Sequence, residues 1–109
     1  MSTDLYQERN EAVNSLKKSM ERFAENGRLY ARMNRDYRVA LRQKILELKA
    51  KGYAVTLIPK LAKGDPEVAE HELNLIIAEN AYKASQENIN VQKIILRSIE
   101  DEIQREWRS

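Results

Sequence analysis

Cysteine is absent from this sequence, histidine, tryptophan and phenylalanine occur once each, proline twice and glycine three times. Each scarcity removes a class of chemistry. Without cysteine there is no disulfide, no thiolate metal site and no sulfur nucleophile, and nothing argues for export. A single histidine, His71, leaves no second one for the repeated Glu-x-x-His motif of carboxylate-bridged metal bundles, although Glu67, Glu70 and Glu72 lie near it, and no other histidine is present for a Ser–His–Asp triad. An exposed histidine is the simpler reading. Three scattered glycines make no phosphate-cradling loop. No apolar run approaches the ~20 residues that cross a bilayer, and the N-terminal stretch MSTDLYQERNE has neither the basic start nor the apolar core of a signal peptide. The expectation is a soluble, cytoplasmic protein that is not an enzyme and has no metal, no cofactor and no membrane partner.

What the chain does contain is charge and helix-forming residues. Charged side chains make up 33% of the 109 residues, and Ala, Leu, Ile, Glu, Lys and Arg are abundant, the composition of long helices and coiled coils. The length suits one domain. The net charge of +2 is too small to imply a nucleic-acid partner, but its distribution is uneven. Residues 28–51 hold eight Lys or Arg against Asp36 and Glu47, whereas residues 66–109 hold nine acids against five bases. The two stretches attract each other.

The spacing predicts an all-α fold: one helix over 3–51, a connector over 52–65 and a second helix over 66–107, forming a long antiparallel hairpin in a single domain, 1–109. Ser2 or Thr3 is placed to cap the first helix. Val13, Leu16, Met20, Phe23, Gly27, Tyr30, Asn34, Tyr37 and Leu41 alternate steps of three and four, the seam of a heptad. Gly27 interrupts that seam at a cost of only ~1 kcal/mol, so the helix is expected to continue, with a bend allowed. Gly52 is a suitable stop. In the connector, Thr56 is the expected cap of a short helical turn through Leu61, with Pro59 in its first turn and Gly64 ending it. Asp65-Pro66-Glu67 is the clearest helix start in the chain. If Lys51 and Pro66 stand at the same level, Tyr30 and Tyr37 face a stretch containing Ala78, Ala81, Ala84 and Ser85, large residues against small.

The second helix carries two apolar stripes, Ile77, Ala81, Ala84, Val91 and Ile95 along one line, and Ile89, Leu96, Ile99, Ile103 and Trp107 along another. A hairpin covers one stripe, and the chain has no third long helix to cover the other. A second copy is the simplest source, which predicts a homodimeric four-helix bundle with Ile89, Leu96, Ile99, Ile103 and Trp107 at the dimer interface.

Three further features bear on function. Arg28, Arg35, Arg42 and Lys49 repeat every seven residues, and the reading preferred here pairs them with Glu72, Glu79 and Glu87 on the second helix. The alternative is a nucleic-acid face that follows phosphates. A helix-turn-helix over 46–76 is disfavoured, because Glu67, Glu70 and Glu72 would open its recognition helix and repel the backbone. The connector concentrates Tyr53, Val55, Leu57, Ile58 and Leu61 between Lys60 and Lys63. These side chains either plug the end of the hairpin, the preferred reading, or form a partner-docking patch of Tyr53, Leu57, Ile58, Lys60 and Leu61. Asn34 and Asn88 lie in or beside the seams, as register-setting buried amides or as solvated boundary residues.

The segments ENGRLYA, DYRVAL, LKAKGYAVTLI, AKGDPEVA, AYKAS and INVQKIILRSIEDEIQREW, over residues 25–107, resemble small helical proteins encoded by bacteriophages and prophages of Gram-positive bacteria. The matching residues are helix boundaries and seam positions, so the resemblance supplies no catalytic or ligand residue. It implies a context, a phage accessory protein acting in the bacterial host cytoplasm. The function expected is a non-enzymatic, homo-oligomeric protein-interaction module that binds a host or phage protein. The alternative is a nucleic-acid-binding accessory of phage replication or recombination that uses Arg28, Arg35, Arg42 and Lys49.

Overall fold

The computed structural model describes residues 2–108, with side chains from Asp4 onward. It is an all-α hairpin: α1 (Ser2–Ala50), a short α2 (Ile58–Lys63) and α3 (Pro66–Arg108), with no strand among the described residues. The side chains of Ser2 and Thr3, expected at the first cap, lie outside the described residues. α1 runs through Gly27 without interruption. Contacts gather into two units, each drawing on α1 and α3: a terminal unit of residues 2–26 with 82–108, and a connector unit of residues 27–81.

In the connector unit, α1 stops at a backbone lock. Gly52 takes φ +85°, the left-handed conformation that costs an L side chain most. That turn lets the Gly52 amide donate to the Lys49 carbonyl at 3.0 Å and the Tyr53 amide donate to the Leu48 carbonyl at 3.2 Å, the paired bonds of a Schellman motif. α2 then folds back over the last two turns of α1. Ile58 and Ala62, one turn apart, pack with Leu48 into a buried cluster supported by Leu41 and Ile45. The residue before α2 is Leu57, and no side chain caps its amides, so the cap expected of Thr56 does not form. Pro59 stands in the first turn, where a missing N–H costs nothing. Gly64 closes α2 at φ −82°, a conformation open to any residue.

α3 starts as its sequence indicates. Asp65 Oδ2 accepts the amides of Glu67 and Val68, both at 3.2 Å. Its other oxygen meets Lys44 Nζ at 3.2 Å, so the cap of α3 is also an ion pair to α1. This corrects the expected register, in which α1 met α3 at Lys51. α2 occupies the end of α1, so α3 begins opposite Lys44, about two turns earlier. As a consequence Tyr37 faces Glu72 and hydrogen-bonds to it, in place of the alanines expected there.

In the terminal unit, the seam of α1 lies one residue from its expected position at several points. Ala12 and Ser19 are buried, while Met20 is 54% exposed. The reason is polar. Ser19 Oγ donates to the Ser15 carbonyl at 2.9 Å and accepts from Asn88 Nδ2 at 2.8 Å, and Asn26 Nδ2 donates to the buried Ser85 hydroxyl. In the same unit Phe23 stacks on Tyr82, ring centres 4.8 Å apart. Arg9 approaches Glu100 at 3.8 Å, and Trp107 Nε1 donates to the Tyr6 hydroxyl at 2.8 Å. These contacts make the helices of this unit antiparallel. Of the two asparagines singled out by position, Asn88 is half-buried and bonded across the seam, and Asn34 is half-buried.

Candidate interaction surfaces

The inward positions of α3 recur at steps of three, four and seven. In the connector unit Val68, Leu75 and Ala78 turn inward; in the terminal unit Tyr82, Ser85, Ile89, Leu96, Ile99 and Ile103 follow the same spacing and are buried or half-buried. Ile89, Leu96, Ile99 and Ile103 therefore lie along the side of α3 that faces α1 within this unit and are half-buried there. Trp107, assigned with them, is 78% exposed and held by Tyr6. The stripe left in solvent is the other one. In the terminal unit it comprises Val91, Ile94 and Ile95; in the connector unit it comprises Leu73, Ile76 and Ile77. Hydropathy could not choose between the stripes, because Ser85 and Asn88 make the true seam look more polar than the outer face. The signal that could have found it is the pairing of those polar residues with Ser19 and Asn26, which only a three-dimensional register displays.

The basic repeat also points outward. The inner side of α1 in the connector unit carries Tyr30, Met33, Tyr37, Lys44 and Leu48, and Arg28, Arg35, Arg42 and Lys49 are all exposed. The expected ladder of ion pairs to Glu72, Glu79 and Glu87 is not formed among the described residues. Arg35 pairs with its neighbour Asp36 at 2.9 Å, and Arg28, Arg38, Arg42 and Lys49 make no ion pair among the described residues. Arg35, Arg38, Arg42 and Lys49 instead surround the exposed Val39 and Leu46, and with half-buried Leu41 and Ile45 they line an open groove of about 530 Å³. The pairing across the helices in this unit falls to Lys44, one of the eight bases of residues 28–51.

The connector divides between its two readings. Ile58 is 3% exposed and cannot meet a partner, so it leaves the docking set, and Ala62, not singled out from the sequence, is fully buried beside it. Spacing was the available signal for Ala62, since i and i+4 share a helix face. Tyr53, Val55, Leu57 and Leu61 remain exposed, with Lys60 and Lys63 alongside.

Ionisation follows the contacts. The backbone amide of Val68, helped by Lys44 and the Glu67 amide, holds the Asp65 carboxyl below its ordinary value. Lys51 and Lys44 do the same for Glu47, and hydrogen bonds to Asp65 and Glu47 raise Lys44. Burial raises the Tyr37 phenol, and the Glu72 carboxylate adds to it. These shifts trace a structural network at the base of α3. No group of three or more His, Cys, Asp or Glu among the described residues is placed to hold a metal ion. No helix among them is long and apolar enough to cross a membrane.

No protein-family model, curated protein or solved structure matches the chain.

Proposed function

We infer that the chain is a self-associating helical-hairpin module whose work is protein interaction and not catalysis, in the setting of a phage accessory protein. The exposed apolar side chains of α3 carry this reading. Leu73, Ile76 and Ile77 in the connector unit, and Val91, Ile94 and Ile95 in the terminal unit, stand on the outer side of α3 and are exposed. Exposed apolar clusters of this kind are characteristic of interaction sites. Self-association covers the α3 stripes in a homodimer of four long helices, and the exposed connector residues Tyr53, Leu57 and Leu61, next to Lys60, are left to hold a host or phage protein. Sedimentation equilibrium at micromolar concentration tests the first part, with twice the chain mass expected and a single-chain mass refuting it. Pull-down from phage-infected cells, comparing wild type with Leu57→Ser, tests the second.

A second reading rests on the cations Arg28, Arg38, Arg42 and Lys49, which lack ion-pair partners among the described residues. A row of free cations supports phosphate binding by counterion release. Sub-micromolar, steeply salt-dependent binding of an oligonucleotide, lost on Arg42→Glu, would favour it over the protein-interaction reading.

A further inference from the structure

We propose that the basic, apolar-centred groove of α1 in the connector unit receives the acidic, apolar outer face of α3 from a second copy of this chain, and that the exchange is reciprocal. This rests on the self-association inferred above and names the surfaces that perform it. On α1, Arg35, Arg38 and Arg42 follow one another at i, i+3 and i+7, with Lys49 two turns further on and Val39 and Leu46 exposed among them. On α3, Glu70, Leu73 and Ile77 follow the same i, i+3, i+7 course, with Ile76 beside them, and all four are exposed. Each face is thus a helical stripe of apolar residues edged by charge, and the charges are opposite.

The imbalance is large within this unit. Residues 66–81 of α3 contain four acids, Glu67, Glu70, Glu72 and Glu79, and no Lys or Arg, whereas residues 28–50 of α1 contain seven bases against Asp36 and Glu47. The hairpin itself uses little of it. Lys44 and Asp65 are joined, but Arg38, Arg42 and Lys49 make no ion pair among the described residues, nor does Glu70. Opposite charge therefore remains on the outer sides of both helices, next to apolar residues that water would otherwise cover. A second copy satisfies both at once. A chain that carries both faces can close a two-fold pair, because the α1-to-α3 contact made in one direction is repeated in the other.

The test uses full-length chains carrying exposed substitutions, so folding is checked by far-ultraviolet circular dichroism and mass is measured by light scattering after gel filtration. Wild type is expected at twice the chain mass. Arg38→Glu with Arg42→Glu is expected to halve that mass, and so is Glu70→Lys with Ile77→Lys. Mixing the two variants in equal amounts is expected to restore the doubled mass. In the mixed pair one contact is native and the other has its charges exchanged, whereas each variant alone meets like charge twice. A wild-type chain of single mass overturns this proposal together with the self-association beneath it. A doubled mass unchanged by either variant, or lost in both and not restored on mixing, overturns only the faces named here and leaves self-association standing. A fluorescent oligonucleotide bound by wild type and lost in the arginine variant, with the doubled mass unchanged, would make the groove a nucleic-acid site and overturn the proposal.

Discussion

Asn88 donates its side-chain amide to Ser19 at 2.8 Å, and Ser19 passes its own hydroxyl hydrogen to the Ser15 carbonyl one turn earlier on α1. The bond places a polar pair at a seam position where the heptad pattern would admit two aliphatic side chains. A second amide–hydroxyl bond, Asn26 to Ser85, joins the same two helices. A heptad slip would separate both pairs, so they select one alignment of the two helices in this unit.

Asn88→Leu removes the donor to a buried hydroxyl, and the expected loss of stability is about 1–2 kcal/mol. Adding Ser19→Ala removes the stranded acceptor and is expected to recover most of that loss, because an aliphatic pair leaves nothing unsatisfied. Urea denaturation of wild type, both single variants and the double variant measures the coupling. Strictly additive effects would show that the bond does not contribute.

The two connector glycines are expected to respond differently to alanine. Gly52 is left-handed, and although a Cβ there meets nothing within 4 Å, the backbone conformation costs Gly52→Ala about 1 kcal/mol. Gly64 has an ordinary φ, and its Cβ would meet only the Lys60 carbonyl oxygen at 3.4 Å and that of Leu61 at 3.9 Å. Gly64→Ala is expected to be neutral or to stabilise by up to about 1 kcal/mol through the unfolded chain. Thermal melting separates the two, and equal destabilisation by both would contradict the assignment of the left-handed stop to Gly52 alone.

This contrast illustrates what sequence could and could not convey. The helices were legible because residues such as Leu16, Phe23, Tyr30 and Tyr37 recur at steps of three and four, and because Gly52 and Asp65-Pro66 are strong local punctuation. The register was not legible. It depends on α2 lying along the end of α1, and that packing turns on Ala62, whose small side chain hardly registers as hydrophobic although it is fully buried. Which stripe of α3 faces α1 was not legible for a related reason: the seam contains Ser85 and Asn88, while Ile94 and Ile95 lie outside. Arg35 and Arg42 shared a spacing with acids on α3, but spacing along a helix does not state which side of it faces the neighbour.

Within the connector, burial should decide the effect of substitution despite similar hydrophobicity. Ile58→Ser creates a cavity and buries a hydroxyl beside Leu48 and Ala62, at an expected cost of about 2–4 kcal/mol. Val55 is 76% exposed, so Val55→Ser should change stability by less than about 0.5 kcal/mol. Urea titrations of both variants check the difference. A comparable loss for Val55→Ser would mean that the exposed part of the connector is covered in the protein as it exists in solution.

The last expectation concerns pH. The folded Asp65 and Glu47 carboxyls lie below their ordinary values of 3.8 and 4.5, because Asp65 accepts the Val68 amide and meets Lys44, and Glu47 meets Lys51 and Lys44. A lowered folded value means that the unfolded chain takes up protons first as pH falls. Their contribution is complete above the ordinary carboxylate range and is lost as pH falls through the folded values. Lys44 and Tyr37 shift the other way, raised from 10.5 and 10.0, so their contribution is complete below those values and is lost as pH rises through the folded ones. The melting temperature should therefore be level from about pH 5 to pH 9 and fall on both sides. Asp65→Asn keeps an oxygen that can cap α3 but removes the charge that meets Lys44. It should lower the melting temperature at neutral pH by a few degrees, make the acid limb shallower and remove most of Lys44's share of the alkaline limb, leaving the share of Tyr37. Circular dichroism melts of wild type and variant across this range provide the measurement. An acid limb as steep in Asp65→Asn as in wild type would place the acid sensitivity elsewhere than at the junction of Lys44 with the start of α3.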